Sequence, residues 1–235
     1  MDILSDLAPT GTLRASINLG NPVLAQGTPE SPSGITVDIA RELSAQLGIP
    51  LELLCFAAAR ESFAAMEQDQ ADICFLAIDP ARTESVAFTA PYVVIEGAFA
   101  VPEMSPLVSA ADVDRPGVRV GVKAGSAYDL HLSRTLKHAE VVRGVEGTTV
   151  FTEQQLDVAA GIRQPLADFA AAQGGVRLLE PHFMEIRQAV GTTRSRREQT
   201  VAYLHDFVEQ LKASGFVAES LGRAGRRDAT VAPPG

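Results

Sequence analysis

The chain has 235 residues, of which 46% are apolar and 21% charged, and it carries a net charge of −9. That length is enough for two lobes of roughly 100 residues each with packed cores. The acidic excess argues against a phosphate-binding surface, so no nucleic-acid partner is expected. No apolar run approaches the roughly 18 residues needed to cross a bilayer, so no membrane insertion is expected.

In chain order, strand and helix signals alternate, which predicts an α/β fold of two lobes, each a mostly parallel sheet flanked by helices. A strand over 12–18 leads into a Gly/Pro-rich loop over 19–33. Ile39, Leu43 and Leu47 then recur at i, i+4, i+8 in a helix that stops at Gly48, with Pro50 barring continuation. A second strand is predicted over 51–56 and a short helix over 62–68. Residues 73–78 form an almost continuous apolar run, the pattern of a strand covered on both faces. Asp79-Pro80 then reads as an N-cap and first helical proline, so a short helix is predicted there. Arg82 falls in its first turn, where the dipole favours an anion and a guanidinium fork matches a carboxylate. A solvated charge paired with Asp79 or Glu84 would also account for it.

A composition break at VPEMSPLVS (101–109) marks entry to the second lobe. That lobe is predicted to hold a strand over 118–122, a helix over 128–137 and strands over 141–142 and 156–160. Chain return is expected near 184–189. A long helix over 197–214 carries an apolar stripe of Val201, Leu204, Val208 and Leu211, which reads as core. The tail 226–235 is expected to be disordered. Lobe 1 is thus drawn as 1–97 with 188–235 and lobe 2 as 98–187.

The segment ADICFLAIDPARTESVAFTAPY (71–92), with its Asp72, Arg82, Phe88 and Pro91-Tyr92, resembles the "DI…R…FT.PY" signature of bacterial extracellular solute-binding proteins, family 3. GTLR (11–14), GITVDIARELSAQL (34–47), VRVGVKAGS (118–126), LDVA (156–159) and KASGFVAESL (212–221) resemble further family segments in the same order. The resemblance spans nearly the whole chain and implies a type II periplasmic-binding-protein fold, an amino-acid-like or organic-acid ligand, an ABC permease as partner, and export to the periplasm. MDILSDLAPTGTLRA shows neither a basic n-region nor an apolar h-region, so no signal peptide is visible, and the chain as written would stay in the cytosol.

Ligands of such folds bind outside the carboxyl ends of the strands, here in a cleft between lobes. In the first lobe the candidate residues are Asn18, Asn21, Leu76, Ala77, Asp79 and Arg82, with Glu96 and Gln188 near the crossings. In the second they are Gly125, Ser126 and Ala127, whose glycine turn would offer N–H groups to an anion, and Ile162 and Arg163. Turn chemistry at Asn21-Pro22 explains Asn18 and Asn21 equally well. The family's amine-recognising acid would fall on Ile162, followed by Arg163, and neither can hold an ammonium. The sequence therefore leans to a dicarboxylate, keto acid or aromatic acid clamped by Arg82 and Arg163, unless Asp79, Glu96 or Asp129 supplies a counter-charge. A surface pair with Asp168 is the plainer reading of Arg163.

Two alternatives belong to other classes. One is a cyclohexadienyl or arogenate dehydratase, with a buried Glu96 or Glu185 as general acid; the other is a cytosolic ligand-sensing module. His131, His138, His182 and His205 lack metal spacing, although the first two share a predicted helix face, and no GxSxG, HExxH or P-loop is present. No cofactor is expected and the state is expected to be monomeric. Cys55 and Cys74 read as core residues, and the fold that the resemblance implies would place the first strand between theirs, so no disulfide is expected.

Overall fold

Apolar runs without a polar face become central strands, and the amphipathic segments become the helices covering them. The computed structural model describes residues 3–226 and 229–235. The chain runs through α1 (Ile3–Leu7), β1 (Leu13–Asn18), the hairpin β2 (Gln26–Thr28) and β3 (Ser31–Ser33), α2 (Ile35–Leu47), β4 (Leu51–Phe56), α3 (Ala59–Glu67) and β5 (Ile73–Ala77). The long strand β6 (Val86–Pro102) is followed by a 3-10 turn at Ala110–Asp112, β7 (Arg119–Lys123), α4 (Ala127–Thr135), β8 (Glu140–Gly144), α5 (Gly147–Glu153), β9 (Val158–Ile162), α6 (Arg163–Gln173) and β10 (Val176–Leu178). β11 (Met184–Thr193), α7 (Glu198–Ala213), α8 (Phe216–Arg223) and β12 (Thr230–Val231) complete it.

Two compact units result, one of Met1–Val94 with Arg187–Gly235 and one of Ile95–Ile186. The chain passes between them within β6 and β11. In the first unit β1 lies between β4 and β5, parallel to both, and β11 joins β5 antiparallel. β1 therefore separates Cys55 from Cys74, and both thiols are free. All five residues of β5 are buried, as its unbroken apolar run requires. α2 ends at Gly48, whose φ of 67° is the left-handed conformation a helix-terminating glycine supplies.

In the second unit β7 lies between β8 and β9, parallel to both, while β6 pairs antiparallel with β9 and with β10. Its core packs Ala98, Ala100, Val150, Phe151, Leu156, Ala159 and Leu166. Small residues at 98, 100 and 159 leave room for the Phe151 ring, which meets Phe169 edge-on.

Several elements differ from the sequence expectation. Asp79-Pro80 opens a run of turns over 80–85 rather than a helix, because the chain must re-enter a strand at Val86. The loop 19–33 contains the β2–β3 hairpin, in which Gly27 stands opposite Pro32 with a φ of 90°. The helix expected over 197–214 is α7, and Gly215 (φ 85°) separates it from a further helix, α8. α4 ends at Thr135, so His138 does not share a helix face with His131.

The tail forms a strand where disorder was expected. Positions 227 and 228 lie outside the described residues, but Thr230 and Val231 pair with Val94 and Val93 of β6, and Ala232 donates to the Tyr92 carbonyl at 3.1 Å. Burial of Ala232 and the Lys212 ammonium, which donates to the carbonyls of Pro91 (3.2 Å) and Pro233 (2.9 Å), fasten this strand.

Candidate functional site

In the first unit the end of β5 and the start of β11 gather five of the predicted residues. Gln188 stands opposite Ala77 in register, Ala189 opposite Leu76, and the Ile78 amide donates to the Arg187 carbonyl at 2.9 Å. The turn that follows is fixed by Asp79: its Oδ1 accepts the Ala81 amide at 2.9 Å, and its carbonyl accepts the amides of Arg82 and Thr83. This geometry folds Arg82 back toward its own strand, where its guanidinium donates to the Ala77 carbonyl at 3.1 Å.

Arg82 is 2% exposed, so the solvated-charge reading does not hold. Burial lowers its pKa and attraction to Asp79 opposes that, yet a guanidinium remains charged in either case. A buried guanidinium at the carboxyl ends of parallel strands stands where such folds receive their ligands. Beside it, burial pushes the Cys74 thiol up to about 12, against the field of Arg82, so that thiol is unreactive. The Leu76 side chain packs into a core with Met66, Ala71, Cys74 and Val86, so only its backbone is available to a ligand.

Asn18 and Asn21 follow the turn reading. Asn18 Oδ1 accepts the Gly20 amide at 3.0 Å and Asn21 Oδ1 the Val23 amide at 3.3 Å. A groove of about 620 Å³ runs along β4, lined by Arg14, Glu52, Leu53, Leu54, Cys55, Phe56 and Gln70, and none of the predicted site residues lines it.

In the second unit the turn after β7 does not present the open anion cradle expected at Gly125, Ser126 and Ala127. The chain supplies its own carboxylate instead: Asp129 Oδ2 accepts the Gly125 amide at 2.8 Å, while Ser126 Oγ accepts the Asp129 amide at 3.1 Å. Asp129 is further bonded by Ser133 Oγ (3.0 Å) and Arg143 Nε (3.1 Å), and is 3% exposed. Nearby, Lys123 pairs with Glu146 at 2.5 Å.

Ile162 ends β9 opposite Gly97 of β6, which carries Glu96 to the same sheet end as Arg163. Arg163 is not paired with Asp168, which bonds Gln164 instead. It forms a two-pronged ion pair with Glu180, Nη1 to Oε2 at 3.1 Å and Nη2 to Oε1, and lies 3.5 Å from Glu96. His182 Nδ1 stands 3.3 Å from the other Glu96 oxygen. The Glu180 carboxyl is held below its ordinary pKa, first by the Arg163 hydrogen bond. Sequence reasoning missed Glu180, His182, Lys123 and Glu146. The parallel pairing of β7 with β8 brings Glu146 to Lys123, and the chain segment returning to β6 brings Glu180 and His182 to Glu96. No local motif announces either. Among the described residues, no group of His, Cys, Asp and Glu could hold a metal ion, and no helix is long and apolar enough to cross a membrane.

The sequence model of the bacterial extracellular solute-binding proteins, family 3, matches residues 18–223. The chain belongs to this family. Its solved relatives share the type II periplasmic-binding-protein fold at low identity. A putative ABC-transporter binding component from Wolinella succinogenes, complexed with lysine, is 20% identical with a TM-score of 0.75, covering 91% of this chain and 95% of its own. The substrate-binding protein AbpA from Streptococcus pneumoniae, bound to L-arginine, is 17% identical with a TM-score of 0.74, covering 93% and 96%. The ancestral amino-acid-binding protein AncCDT-1, a precursor of cyclohexadienyl dehydratase, is 19% identical with a TM-score of 0.75, covering 94% and 99%. No curated protein matches the chain significantly.

Proposed function

We propose that this solute-binding protein captures a small amino acid for an ABC-type importer, with the ligand carboxylate anchored on Arg82. The observation that carries the reading is the 2% exposed guanidinium at the carboxyl end of β5, beside Ala77 and Gln188. A ligand carboxylate there would match the planar guanidinium fork bidentately, in addition to the attraction of Asp79. The relatives bound to lysine and L-arginine give the ligand class its chemical precedent.

The reading does not call on Arg163 as a second clamp. Both Arg163 terminal nitrogens engage Glu180, and Glu96 adds a further carboxylate, so the guanidinium is already neutralised. This weighs against a dicarboxylate and for a ligand that carries an amine. The dehydratase alternative asks for a buried carboxylic acid, whereas the Glu96 side chain is 40% exposed and ion-paired, and Glu185 is exposed.

A thermal-shift screen against the common L-amino acids, dicarboxylates and keto acids tests the reading. Stabilisation by one or more L-amino acids, abolished in Arg82→Ala, is expected. Stabilisation only by acids without an amine would overturn the ligand class, and an undiminished shift in Arg82→Ala would overturn the anchor.

A further inference from the structure

We propose that β4 is an edge through which two copies of this chain pair about a two-fold axis, in place of the monomer expected from the sequence. The strand ends the sheet of the first unit, with β1 on one side and no strand on the other. None of its six residues is buried, whereas every residue of β5 is. Which backbone groups face outward follows from the inner bonds. The carbonyls of Pro50 and Phe56 accept the amides of Leu13 and Leu19, each at 2.8 Å, on the β1 side. Successive residues of a strand turn their N–H and C=O to opposite sides, so the even positions from 50 to 56 bond to β1 and Leu51, Leu53 and Cys55 face outward. Among the described residues these three outward backbone positions have no hydrogen-bond partner. Such an edge is a template for a further strand, and natural proteins blunt it with lysine, proline or a bulge. LELLCF contains neither residue, and its one-to-one register with β1 has no bulge.

The residues of the edge fit a second copy of themselves. In an antiparallel pair centred on Leu53, that residue meets its own counterpart, and Leu51 meets Cys55 on either side of the axis. All three outward positions then exchange hydrogen bonds, and their side chains form an unbroken apolar ladder on one face. The other face carries the only charge of the strand, Glu52, which stands in register with Arg14 of β1 and attracts its guanidinium. Glu52 falls opposite Leu54 of the second copy, so no like charges are directly opposed. Neighbouring registers are poorer. An axis at Glu52 sets that carboxylate against itself, and an axis at Leu54 calls on the Ala57 amide, which already donates to Glu61 Oε2 at 3.1 Å. The groove of about 620 Å³ along β4 leaves room for the incoming strand beside Glu52, Leu54 and Phe56.

Analytical ultracentrifugation of the full chain over a concentration series tests this, together with cysteine cross-linking. Wild type should show a monomer–dimer equilibrium, and Leu53→Lys, which sets like charges opposite each other at the axis, should weaken it roughly tenfold or more. Because Leu53→Lys also alters a half-buried side chain, cross-linking supplies an independent reading in a Cys55→Ser background. Leu53→Cys should form a disulfide-linked dimer on mild oxidation, since directly opposite hydrogen-bonded residues have Cα atoms about 5.5 Å apart. Glu52→Cys in the same background should not, because its two copies are offset by two residues along the strands. Wild type that stays monomeric up to roughly 1 mM would overturn the proposal and leave the edge to an extended strand of another protein. So would a dimer in which Leu53→Cys does not cross-link, or in which Glu52→Cys cross-links as readily.

Discussion

Arg82 combines a full positive charge with near-complete burial, and its position follows from a turn that Asp79 shapes three residues earlier. Arg82→Ala should cost carboxylate binding about 2 to 5 kcal/mol, the range for removing one member of a desolvated charge pair. Arg82→Lys should recover only part of it, because a point charge lacks the fork. A second residue-scale prediction concerns Tyr92, which is fully buried, with burial pushing its phenol well above the ordinary pKa. Its hydroxyl meets no partner among the described residues, so the Pro91-Tyr92 pair earns its place through the ring, packed edge-on to Phe75. Tyr92→Phe should leave stability unchanged or raise it by up to about 1 to 3 kcal/mol in urea denaturation, since an unsatisfied buried group is removed. Asp72, by contrast, is fully buried between Arg14 (2.8 Å) and Arg196 (3.2 Å). Asp72→Ala should destabilise by about 3 to 5 kcal/mol, leaving two cations without their acceptor.

At the scale of elements, the sequence was most legible where one physical signal dominated. The bounds of β4 match the expected 51–56, and β1 and β5 fall within a residue of theirs, because an apolar run between turn residues has few alternatives. α2 ends where Gly48 and Pro50 require it. The signals failed where a local preference met a distant demand: Asp79-Pro80 can start a helix, but the chain is drawn into β6 only six residues later. β12 was hidden because its pairing with β6 lies some 137 residues away in sequence. The candidate site divides in the same way. Arg82 could be found from its strand and turn, whereas the Arg163, Glu180, Glu96 and His182 group depends on strand register and on a returning segment that no local pattern reveals.

Helix α7 shows how such distant contacts carry stability. Its first turn is capped by Asp6 of α1, which accepts the Arg197 amide at 3.0 Å and the Thr200 hydroxyl at 2.6 Å. The Thr200 hydrogen bond, followed by Arg197, holds the Asp6 carboxyl below its ordinary pKa. A depressed carboxyl contributes stability above its unfolded pKa and loses it as pH falls through the folded value. Asp6→Ala should therefore cost about 1 kcal/mol at neutral pH, with the difference from wild type shrinking below about pH 4. Urea titrations at the two pH values check both the magnitude and the sign.

For the whole molecule, family membership and the two-unit α/β architecture define a binding protein, and the chemistry of its site decides what is bound. The two units differ in how they meet charge. The first buries a guanidinium at a strand end near Asp79, while the second pairs Arg163 with Glu180 and the Gly125 amide with Asp129. At a ligand concentration a hundred times Kd, binding to the folded state alone should add about 2.7 kcal/mol to stability.

The most direct test is calorimetric titration of wild type and Arg82→Ala with the L-amino acid that gives the largest thermal shift. The account predicts saturable binding to wild type and at least a roughly thirtyfold weaker affinity in the variant. Equal affinity in the two proteins would contradict it, and the anchor would have to be sought elsewhere.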